Sequence, residues 1–470
     1  MKHTSQSAEA SPAPPKRISS LQDVWGRRFR PPAIALLWLL GSCLRGAEPD
    51  WPVIEKHALD LLQTYVRIAS VNPPANTAEA AALIKRELDA AGLTPKLYTS
   101  GPNGQTNLIV RLPGRDRSKK PLLLLNHLDV VPVDAKAWGG IDPFGAAIKD
   151  GQIWGRGSLD MKGLAVEQLT ALIALKKAST VPPRDIVMLS TADEESSGVL
   201  GIQWMLKNHW DEIAPAYVLD EGGAGSSDLF AKGKLIFGVS VGEKQMLWLR
   251  LRATGTAGHG SQPIAENANM ILLDAIHKAM ETPTTEKQNP VVELMSKAAG
   301  GALAENKFTN AIRGNTMSLT TLQSGVGSPV KPNVIPSTAE ATLDCRLLPG
   351  VNADEFESGI KARINDRRVT VERLNTPVDA GISSAETALF AAIRKALLKE
   401  HPEAIVTPML VPYGTDSVQL RKRGVPAYGF LPMVLDTATI ATMHSDQERI
   451  PVAEFLRGIH IYFDVLRSDY

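Results

Sequence analysis

Short apolar runs recur along the first half of the chain, and each of them ends in polar residues. The clearest are Leu122 to Leu125, Ile186 to Leu189 and Ala216 to Leu219. Runs of this length predict buried β-strands, because they are too short for complete helices. Apolar residues at helical spacing lie between some of them, as in Met161 to Lys177. This alternation predicts an α/β fold with a mostly parallel sheet.

Histidine or acidic residues follow each of these three strands. The clusters are His127-Leu128-Asp129, Asp193-Glu194-Glu195 and Asp220-Glu221-Gly222. Ligands bind at the carboxyl ends of strands in open α/β sheets, and parallel packing brings those ends to one edge. One such cluster is easily explained as an ordinary loop. Three clusters on the same edge predict a binding or catalytic site.

The pattern changes at about Gly242. Residues 242–374 predict the order strand, helix, strand, strand, helix, strand, which is typical of a ferredoxin-like unit inserted as a lid or dimerisation domain. The predicted elements are Met246 to Ala253, Asn267 to Met280, Thr316 to Leu322, Ala339 to Arg346, Ala353 to Asn365 and Arg368 to Arg373. Residues 282–313 are hard to place. The α/β pattern then resumes, so residues 49–241 and 375–470 are assigned to one α/β domain in two parts.

The amino-terminal residues 1–48 predict a disordered segment followed by an export signal. Arg27, Arg28 and Arg30 precede an apolar run at 33–40, which has the length of a signal core and is too short to span a membrane. The run ends in Leu40-Gly41-Ser42-Cys43, which resembles a bacterial lipoprotein cleavage box. We expect a periplasmic or extracellular protein, with lipid attachment at Cys43 as an option. A loose amphipathic tail is the alternative.

Composition narrows the chemistry that such a site can use. Lys and Arg number 51 and Asp and Glu number 50, so no strong field favours nucleic acid as a partner. The chain has only two cysteines, Cys43 and Cys345, which excludes a zinc site built from cysteines. Any metal must therefore be held by histidine and carboxylates, a donor set that suits zinc, manganese or cobalt. Cys345 lies in a strand-like run and is expected to be a buried free thiol.

The motifs together resemble those of one family. They are His127-Leu128-Asp129, Gly155-Arg156-Gly157 with Asp160-Met161-Lys162-Gly163, Asp193-Glu194-Glu195, Asp220-Glu221-Gly222, Gly258-His259-Gly260-Ser261 and Met443-His444. Over residues 50 to 470 the sequence is similar to the M20 metallopeptidases and amidohydrolases, which include aminoacylase-1, carboxypeptidase S and carboxypeptidase G2. The resemblance implies that the α/β domain is a catalytic domain of the zinc-peptidase type.

The resemblance also implies two divalent metal ions, most often Zn²⁺, with Co²⁺ or Mn²⁺ possible. The implied ligands are His127 and Asp220 for one ion, Glu195 and His444 for the other, and Asp160 as the bridge. A shared carboxylate suits two neighbouring cations, because each of its oxygens binds one ion and offsets their repulsion. At the end of the third strand, Glu221 is the alternative to Asp220. Asp160 by itself could also be a helix cap.

Two further acidic residues receive roles by the same resemblance. Glu194 is the expected general base, which takes a proton from the attacking water and delivers it to the leaving amine. Asp129 is expected to hydrogen-bond His127 and fix its tautomer. The pair Glu194-Glu195 could otherwise be an ordinary helix start, where acidic residues are favoured by the helix dipole.

Substrate contacts are expected mainly from the lid. His259 resembles the family histidine that binds the developing oxyanion, often in the partner subunit, and therefore suggests a homodimer through the lid. Arg346 resembles the arginine that holds the substrate carboxylate, for which a planar guanidinium is suited. Asn333 and Gly414-Thr415 are additional candidates. Ser261 is not expected to be a nucleophile, because it lies outside a Gly-x-Ser-x-Gly turn.

These observations predict a two-metal hydrolase of amide bonds. It would act as a carboxypeptidase or dipeptidase, or as an N-acyl-amino-acid deacylase, on a small molecule or short peptide with a free carboxylate. A non-catalytic binding protein on the same scaffold is the main alternative, and the intact set of implied ligands argues against it. A serine amidase is disfavoured by the missing nucleophile turn.

Overall fold

The run of four leucines lies in a strand whose residues are all buried, as the sequence predicts. This computed structural model describes residues 48–281 and 289–470. A strand covered on both faces needs no polar residue at alternate positions, which explains the continuous apolar run.

The predicted export signal and Cys43 lie outside the described residues and stay predictions. No helix among the described residues is long and apolar enough to cross a membrane.

The secondary structure follows the predicted order closely. The strands are β1 (Lys96–Thr99), β2 (Thr106–Leu112), β3 (Leu122–His127), β4 (Ala147–Lys149), β5 (Gln152–Trp154), β6 (Ile186–Thr191), β7 (Tyr217–Asp220), β8 (Gly225–Ser226), β9 (Ile236–Glu243), β10 (Gln245–Thr254), β11 (Gly258–His259), β12 (Thr316–Ser324), β13 (Val334–Ile335), β14 (Thr338–Leu347), β15 (Val369–Arg373), β16 (Ile405–Val411), β17 (Ala427–Gly429) and β18 (Arg449–Pro451). The α-helices are α1 (Trp51–Val66), α2 (Ala78–Ala90), α3 (Gly163–Lys177), α4 (Ile202–Asn208), α5 (Trp210–Ile213), α6 (Ala268–Met280), α7 (Pro290–Ala299), α8 (Lys307–Arg313), α9 (Ala353–Ile364), α10 (Ala388–Glu400), α11 (Ser417–Arg421), α12 (Thr437–Ile440) and α13 (Val452–Arg467).

The large sheet has the strand order β1-β2-β6-β3-β7-β17-β9-β16, with β8 paired to β9. Its centre, β6-β3-β7-β17, is parallel. The mostly parallel central sheet confirms the predicted fold class. Because β6, β3 and β7 are direct neighbours and run in the same direction, their carboxyl ends meet at one edge.

The predicted lid forms a separate four-stranded antiparallel sheet with the order β12-β14-β10-β15. The chain order β10-α6-β12-β14-α9-β15 and this strand order are those of a ferredoxin-like unit. Helices α6 and α9 pack on one face and share a core with strands β10 and β14. Cys345 is buried in this core as a free thiol, as expected.

Besides several short elements, two longer parts of the chain were not recognised from the sequence. Strand β9 is buried along its whole length in the large sheet, and it reaches past Gly242, where the sequence pattern changes. Helices α7 and α8 lie in the unassigned stretch, and Val291, Met295 and Ile312 pack into the core of the large sheet rather than that of the lid. The lid core therefore draws on residues before and after these two helices.

Candidate metal centre

The carboxyl ends of β3, β6 and β7 bring the predicted acidic and histidine residues together. His127 is the last residue of β3, and two residues separate the end of β6 from the Glu194-Glu195 pair. Asp160 lies in an irregular turn, Ser158–Lys162, which ends directly before α3. The predicted helix from Met161 begins instead at Gly163, because Asp160 (φ −124°, ψ 96°) and Met161 (φ −133°, ψ 31°) both have non-helical backbone angles.

Asp160 occupies the position expected of a shared ligand. Its Oδ1 lies 3.0 Å from His127 Nε2, and its Oδ2 lies 3.0 Å from His444 Nε2. A second carboxylate lies beside each histidine: Glu195 Oε2 is 3.4 Å from His444 Nε2, and Glu221 Oε1 is 3.8 Å from His127 Nε2. The carboxylate of Asp160 thus faces both imidazoles and does not cap a helix.

Glu221, rather than Asp220, lies beside His127. Asp220 shares a face of β7 with Val218, because alternate residues of a strand point the same way. That face packs under helix α11, where Ser417 Oγ donates a 2.7 Å hydrogen bond to Asp220 Oδ2. The sequence interpretation preferred Asp220 to Glu221 as a metal ligand, and the structure places the carboxylate of Glu221, not that of Asp220, beside His127 Nε2. Strand alternation was the signal that could have separated the two residues.

The carboxylate of Asp129 holds the turn that carries Glu194 and Glu195. Its oxygens accept hydrogen bonds from the backbone N–H groups of these residues, at 3.2 and 3.1 Å, and from the Asn72 side chain at 2.8 Å. His127 Nδ1 lies 3.0 Å from the Asp129 backbone carbonyl and 3.7 Å from its carboxylate. The carbonyl is therefore the group that fixes the tautomer, with the proton on Nδ1 and the Nε2 lone pair facing the site.

Glu448 holds the turn that carries Asp160, and sequence reasoning missed it. The buried Oε1 accepts hydrogen bonds from the backbone N–H groups of Gly157, Leu159 and Asp160 at 3.0, 2.9 and 3.0 Å. Its Oε2 pairs with the buried Arg156 at 2.5 Å. In the sequence Glu448 looks like one more charge in a polar loop, because its partners are 288 to 292 residues away.

The electrostatics of the cluster indicate missing positive charge. Burial raises the pKa of the Glu194 and Glu221 carboxyls well above their usual range. Hydrogen bonds to Asp160 and Glu195 raise the pKa of His444 to about 10. Glu195 Oε1 is buried without a hydrogen-bond partner. The two imidazoles carry at most two positive charges, and four carboxylates surround them: Asp160, Glu194, Glu195 and Glu221. Divalent cations would supply the positive charge that ionised carboxylates need here.

The donor atoms are also close enough to bind metal. Two groups have all their ligating atoms within 4.8 Å of one another: His127 with Asp160 and Glu195, and His127 with Glu194 and Glu221. Imidazole nitrogen and carboxylate oxygen form a mixed donor set that fits zinc, cobalt or manganese. The orphaned oxygen of Glu195 and this donor set together fit the expected pair of divalent ions.

The expected substrate contacts lie away from this cluster. His259 is exposed on β11, and its Nδ1 accepts hydrogen bonds from Ser261 N and Oγ at 3.1 and 2.8 Å. The Asn333 carbonyl accepts a hydrogen bond from Gly260, so Asn333 lies beside the His259 loop. Arg346 forms a two-pronged ion pair with Asp344 at 2.8 and 3.0 Å. Among the described residues, these contacts remain within the lid.

Gly414 and Thr415 lie in the larger domain, directly after the Val411 end of β16. The Thr415 hydroxyl is buried and donates a 2.8 Å hydrogen bond to Glu243 Oε1. Glu243 in turn pairs with the buried Arg421. This hydrogen bond holds the Thr415 side chain against Glu243, the last residue of β9, where the chain continues into the lid. The position of Gly414, beside Met246 at the start of β10, is likewise at this junction.

Comparison with known proteins gives the site its context. Residues 123–468 match peptidase family M20/M25/M40. The chain is 30% identical to human aminoacylase-1 over 427 residues, which cover 88% of this chain and 96% of that protein.

Solved structures share the fold. The M20 family metallo-carboxypeptidase Sso-CP2 from Sulfolobus solfataricus superposes with a TM-score of 0.66 and 20% identity, over 87% of this chain and 98% of its own. The YXEP protein of Bacillus subtilis, described as a dinuclear metal binding peptidase from the M20 family, has a TM-score of 0.56 and 12% identity, over 88% of this chain and 98% of its own. The chain belongs to peptidase family M20/M25/M40 and is a hydrolase of amide bonds.

Proposed function

We propose that this enzyme uses two metal ions to cleave the amide bond next to a carboxyl-terminal amino acid. The substrate is a dipeptide or short peptide, or an N-acyl amino acid. One observation carries the proposal: the two oxygens of Asp160 face two histidines, and each histidine has its own additional carboxylate. The similarity to aminoacylase-1 and to a metallo-carboxypeptidase supports these two substrate types.

Five side chains would hold the metal pair. They are His127 and Glu221 for one ion, Glu195 and His444 for the other, and Asp160 for both. Such ions, when bound, lower the pKa of water and polarise a carbonyl oxygen. Zinc is the metal that we propose first, and cobalt and manganese suit the same donors.

Glu194 is the residue that we propose to move the proton. It follows β6 beside the cluster, and the Asp129 carboxylate holds its backbone N–H. Burial raises the pKa of its carboxyl well above the usual range, which favours accepting a proton near neutral pH. Glu194 takes the proton from the attacking water and then donates it to the leaving amine nitrogen. The C–N bond breaks as this nitrogen becomes neutral.

The lid supplies the groups for the rest of the substrate. Ser261 N–H donates to His259 Nδ1, so the ring proton is on Nε2, which is free to donate to a developing oxyanion. Arg346 presents a planar fork that suits the carboxylate of the substrate, and its present partner Asp344 is a carboxylate of the same geometry. In this proposal His259 serves the site of a partner subunit, as the resemblance to the family implies, and its hydrogen bonds to Ser261 hold the ring within the lid.

The lid also has a surface suited to a second copy of the chain. The outer edge of β12 is unpaired among the described residues. Leu322 on this strand is 54% exposed, and Met270 and Leu273 on the neighbouring α6 are 62% and 50% exposed. An unpaired edge next to an exposed apolar helix face is typical of a protein interface. We therefore propose a homodimer through β12 and α6.

Removal and return of metal tests the central proposal. We expect exhaustive chelation to abolish hydrolysis of N-acyl amino acids and dipeptides, because the proposed mechanism needs bound metal to activate water and polarise the carbonyl. Return of Zn²⁺ or Co²⁺ should restore turnover, with metal analysis of the same sample. Activity that persists in metal-free protein contradicts the proposal.

Glu194→Gln tests the proton transfer. The amide keeps the size of the side chain but cannot accept a proton, so kcat should fall by about 10²–10⁴-fold. Metal content should equal that of the unaltered protein, since the five proposed ligands remain. The exposed Glu403→Gln is the matched control. A variant that turns over at the normal rate removes Glu194 from the mechanism.

Glu448→Ala tests the positioning of Asp160. The change leaves three backbone N–H groups and Arg156 without their shared acceptor. Metal affinity, measured by titration against a competing chelator, should fall by about 10–100-fold. Glu448→Gln keeps one acceptor oxygen and should recover part of the loss, and Glu403→Ala is the control. Equal affinity in all four proteins shows that Glu448 has no positioning role.

Leu322→Glu tests the dimer. A buried charge at an interface is strongly unfavourable, so the variant should sediment as a monomer at concentrations where the unaltered protein is a dimer. Leu97→Glu, at an exposed leucine on edge strand β1, is the matched control and should remain dimeric. Unaltered protein that sediments as a monomer, or a dimeric Leu322→Glu, excludes this interface.

A further inference from the structure

The turn that follows β16 carries one hydroxyl, that of Tyr413, with no hydrogen bond to any residue that the structure describes. The other polar side chains of this turn are all engaged. Thr415 donates to Glu243 at 2.8 Å, Asp416 accepts from Thr191 at 2.8 Å, and Ser417 donates to Asp220 at 2.7 Å. Because the turn is held at three points, the ring of Tyr413 extends from a firmly fixed backbone.

The ring of Tyr413 lies beside the metal centre. It lines a mostly apolar cavity together with Glu221 and with Met161, the residue after Asp160. The Tyr413 hydroxyl lies 3.9 Å from the position that a Cβ atom would take on Gly222, the residue after Glu221. The hydroxyl is therefore next to one of the proposed metal ligands, and the mechanism described above does not use it.

The surroundings of Tyr413 keep its hydroxyl protonated. Burial raises the pKa of the phenol, and the negative charges of Glu221 and Asp160 raise it further. A protonated phenol is a hydrogen-bond donor and not a base. Glu221 is the nearby carboxylate with the largest effect on this pKa, yet no hydrogen bond joins it to the phenol in the described part of the chain. The acceptor for this donor is therefore expected from a bound substrate.

We propose that the Tyr413 hydroxyl donates a hydrogen bond to the carbonyl oxygen of the scissile amide as this oxygen becomes negatively charged. The inference rests on the proposed function. When water adds to the carbonyl carbon, the C–O double bond becomes a single bond and negative charge gathers on the oxygen. A fixed donor stabilises this charge more than it stabilises the neutral substrate, and it therefore lowers the barrier. Tyr413 acts in its own subunit, in addition to the donor that we propose for His259.

Tyr413→Phe tests the proposal with the metal-loaded enzyme. The change removes one oxygen atom and keeps the ring that packs against the core of the large sheet, so the fold should be retained. We expect kcat for N-acyl amino acids and dipeptides to fall by about 10²–10³-fold, which is the usual effect of removing one such donor, with KM nearly unchanged. A Tyr413→Phe protein with normal kcat overturns the proposal.

Tyr217→Phe is the matched control. Tyr217 is the first residue of β7, at the end of the strand opposite to the metal centre. Its hydroxyl likewise has no hydrogen bond to another described residue. The control should turn over at the normal rate, because the oxygen that it loses is far from the reacting bond. A loss of kcat in Tyr217→Phe equal to that in Tyr413→Phe contradicts the assignment.

Binding of a transition-state analogue gives a readout that does not depend on turnover. The probe is a phosphinate analogue of N-acetyl-L-methionine, in which a tetrahedral phosphorus with a charged oxygen replaces the carbonyl carbon and CH₂ replaces the amide nitrogen. Its affinity for metal-loaded Tyr413→Phe, measured by calorimetry, should fall by about the same factor as kcat. In the slow Glu194→Gln background, Tyr413→Phe should leave the affinity for intact N-acetyl-L-methionine unchanged. Equal losses for the analogue and the substrate overturn the proposal.

Metal titration separates a catalytic role of Tyr413 from a positioning role. The metal affinity of Tyr413→Phe, measured against a competing chelator, should equal that of the unaltered protein. A loss of affinity, with kcat restored at saturating metal, shows that the phenol positions Glu221 and overturns the proposal. Hydrolysis by the unaltered protein together with a normal rate in Tyr413→Phe overturns this inference alone. Metal-loaded unaltered protein that hydrolyses neither N-acyl amino acids nor dipeptides overturns the proposed function and this inference with it.

Discussion

Charge crowding at one edge of the parallel sheet is the constraint on which the rest of the structure depends. Four carboxylates and two imidazoles meet where β3, β6 and β7 end. The carboxylates and His127 are largely buried, whereas the His444 side chain is 48% exposed. Burial alone opposes ionisation of these acids, and their mutual repulsion opposes it further. The arrangement is stable with its acids ionised when divalent cations share them. The fold therefore brings together acidic side chains whose ionised forms destabilise one another and whose oxygens are suited to binding metal ions.

Two acids outside the proposed ligand set hold the cluster in shape. Asp129 accepts two backbone N–H groups of the Glu194-Glu195 turn, and Glu448 accepts three from the turn that carries Asp160. Hydrogen bonds from backbone N–H to a carboxylate are stronger than those between neutral groups. They fix the backbone, from which the ligand side chains extend. Each turn is anchored by a carboxylate from another part of the sequence, 65 residues away for Glu194 and 288 residues away for Asp160.

The candidate residues are divided between two parts of the fold. The larger domain carries the proposed metal ligands and Glu194, whereas the lid carries Arg346 and His259. The chain passes between them at Glu243, where Thr415 and Arg421 bind the same buried carboxylate. This junction links the end of β9 to the segment after β16.

The sequence by itself determined the architecture and most of the cluster. Continuous apolar runs identify strands buried on both faces, and the polar residues after them must share an edge once the strands are parallel. The order of elements likewise predicts the ferredoxin-like lid. Local pattern was sufficient here because strand burial and strand direction are set by neighbouring residues.

Only the tertiary structure decided which face each residue takes and which distant groups it meets. Asp220 and Glu221 are adjacent acids, and the packing of β7 under α11 sends Asp220 to Ser417 and leaves Glu221 for His127. Glu448 has its role through backbone N–H groups that are 288 to 291 residues away. A mostly apolar cavity next to Glu221 is lined by residues from segments spread between Leu159 and Met443. Contacts of this kind depend on how separate elements pack, and no local periodicity encodes them.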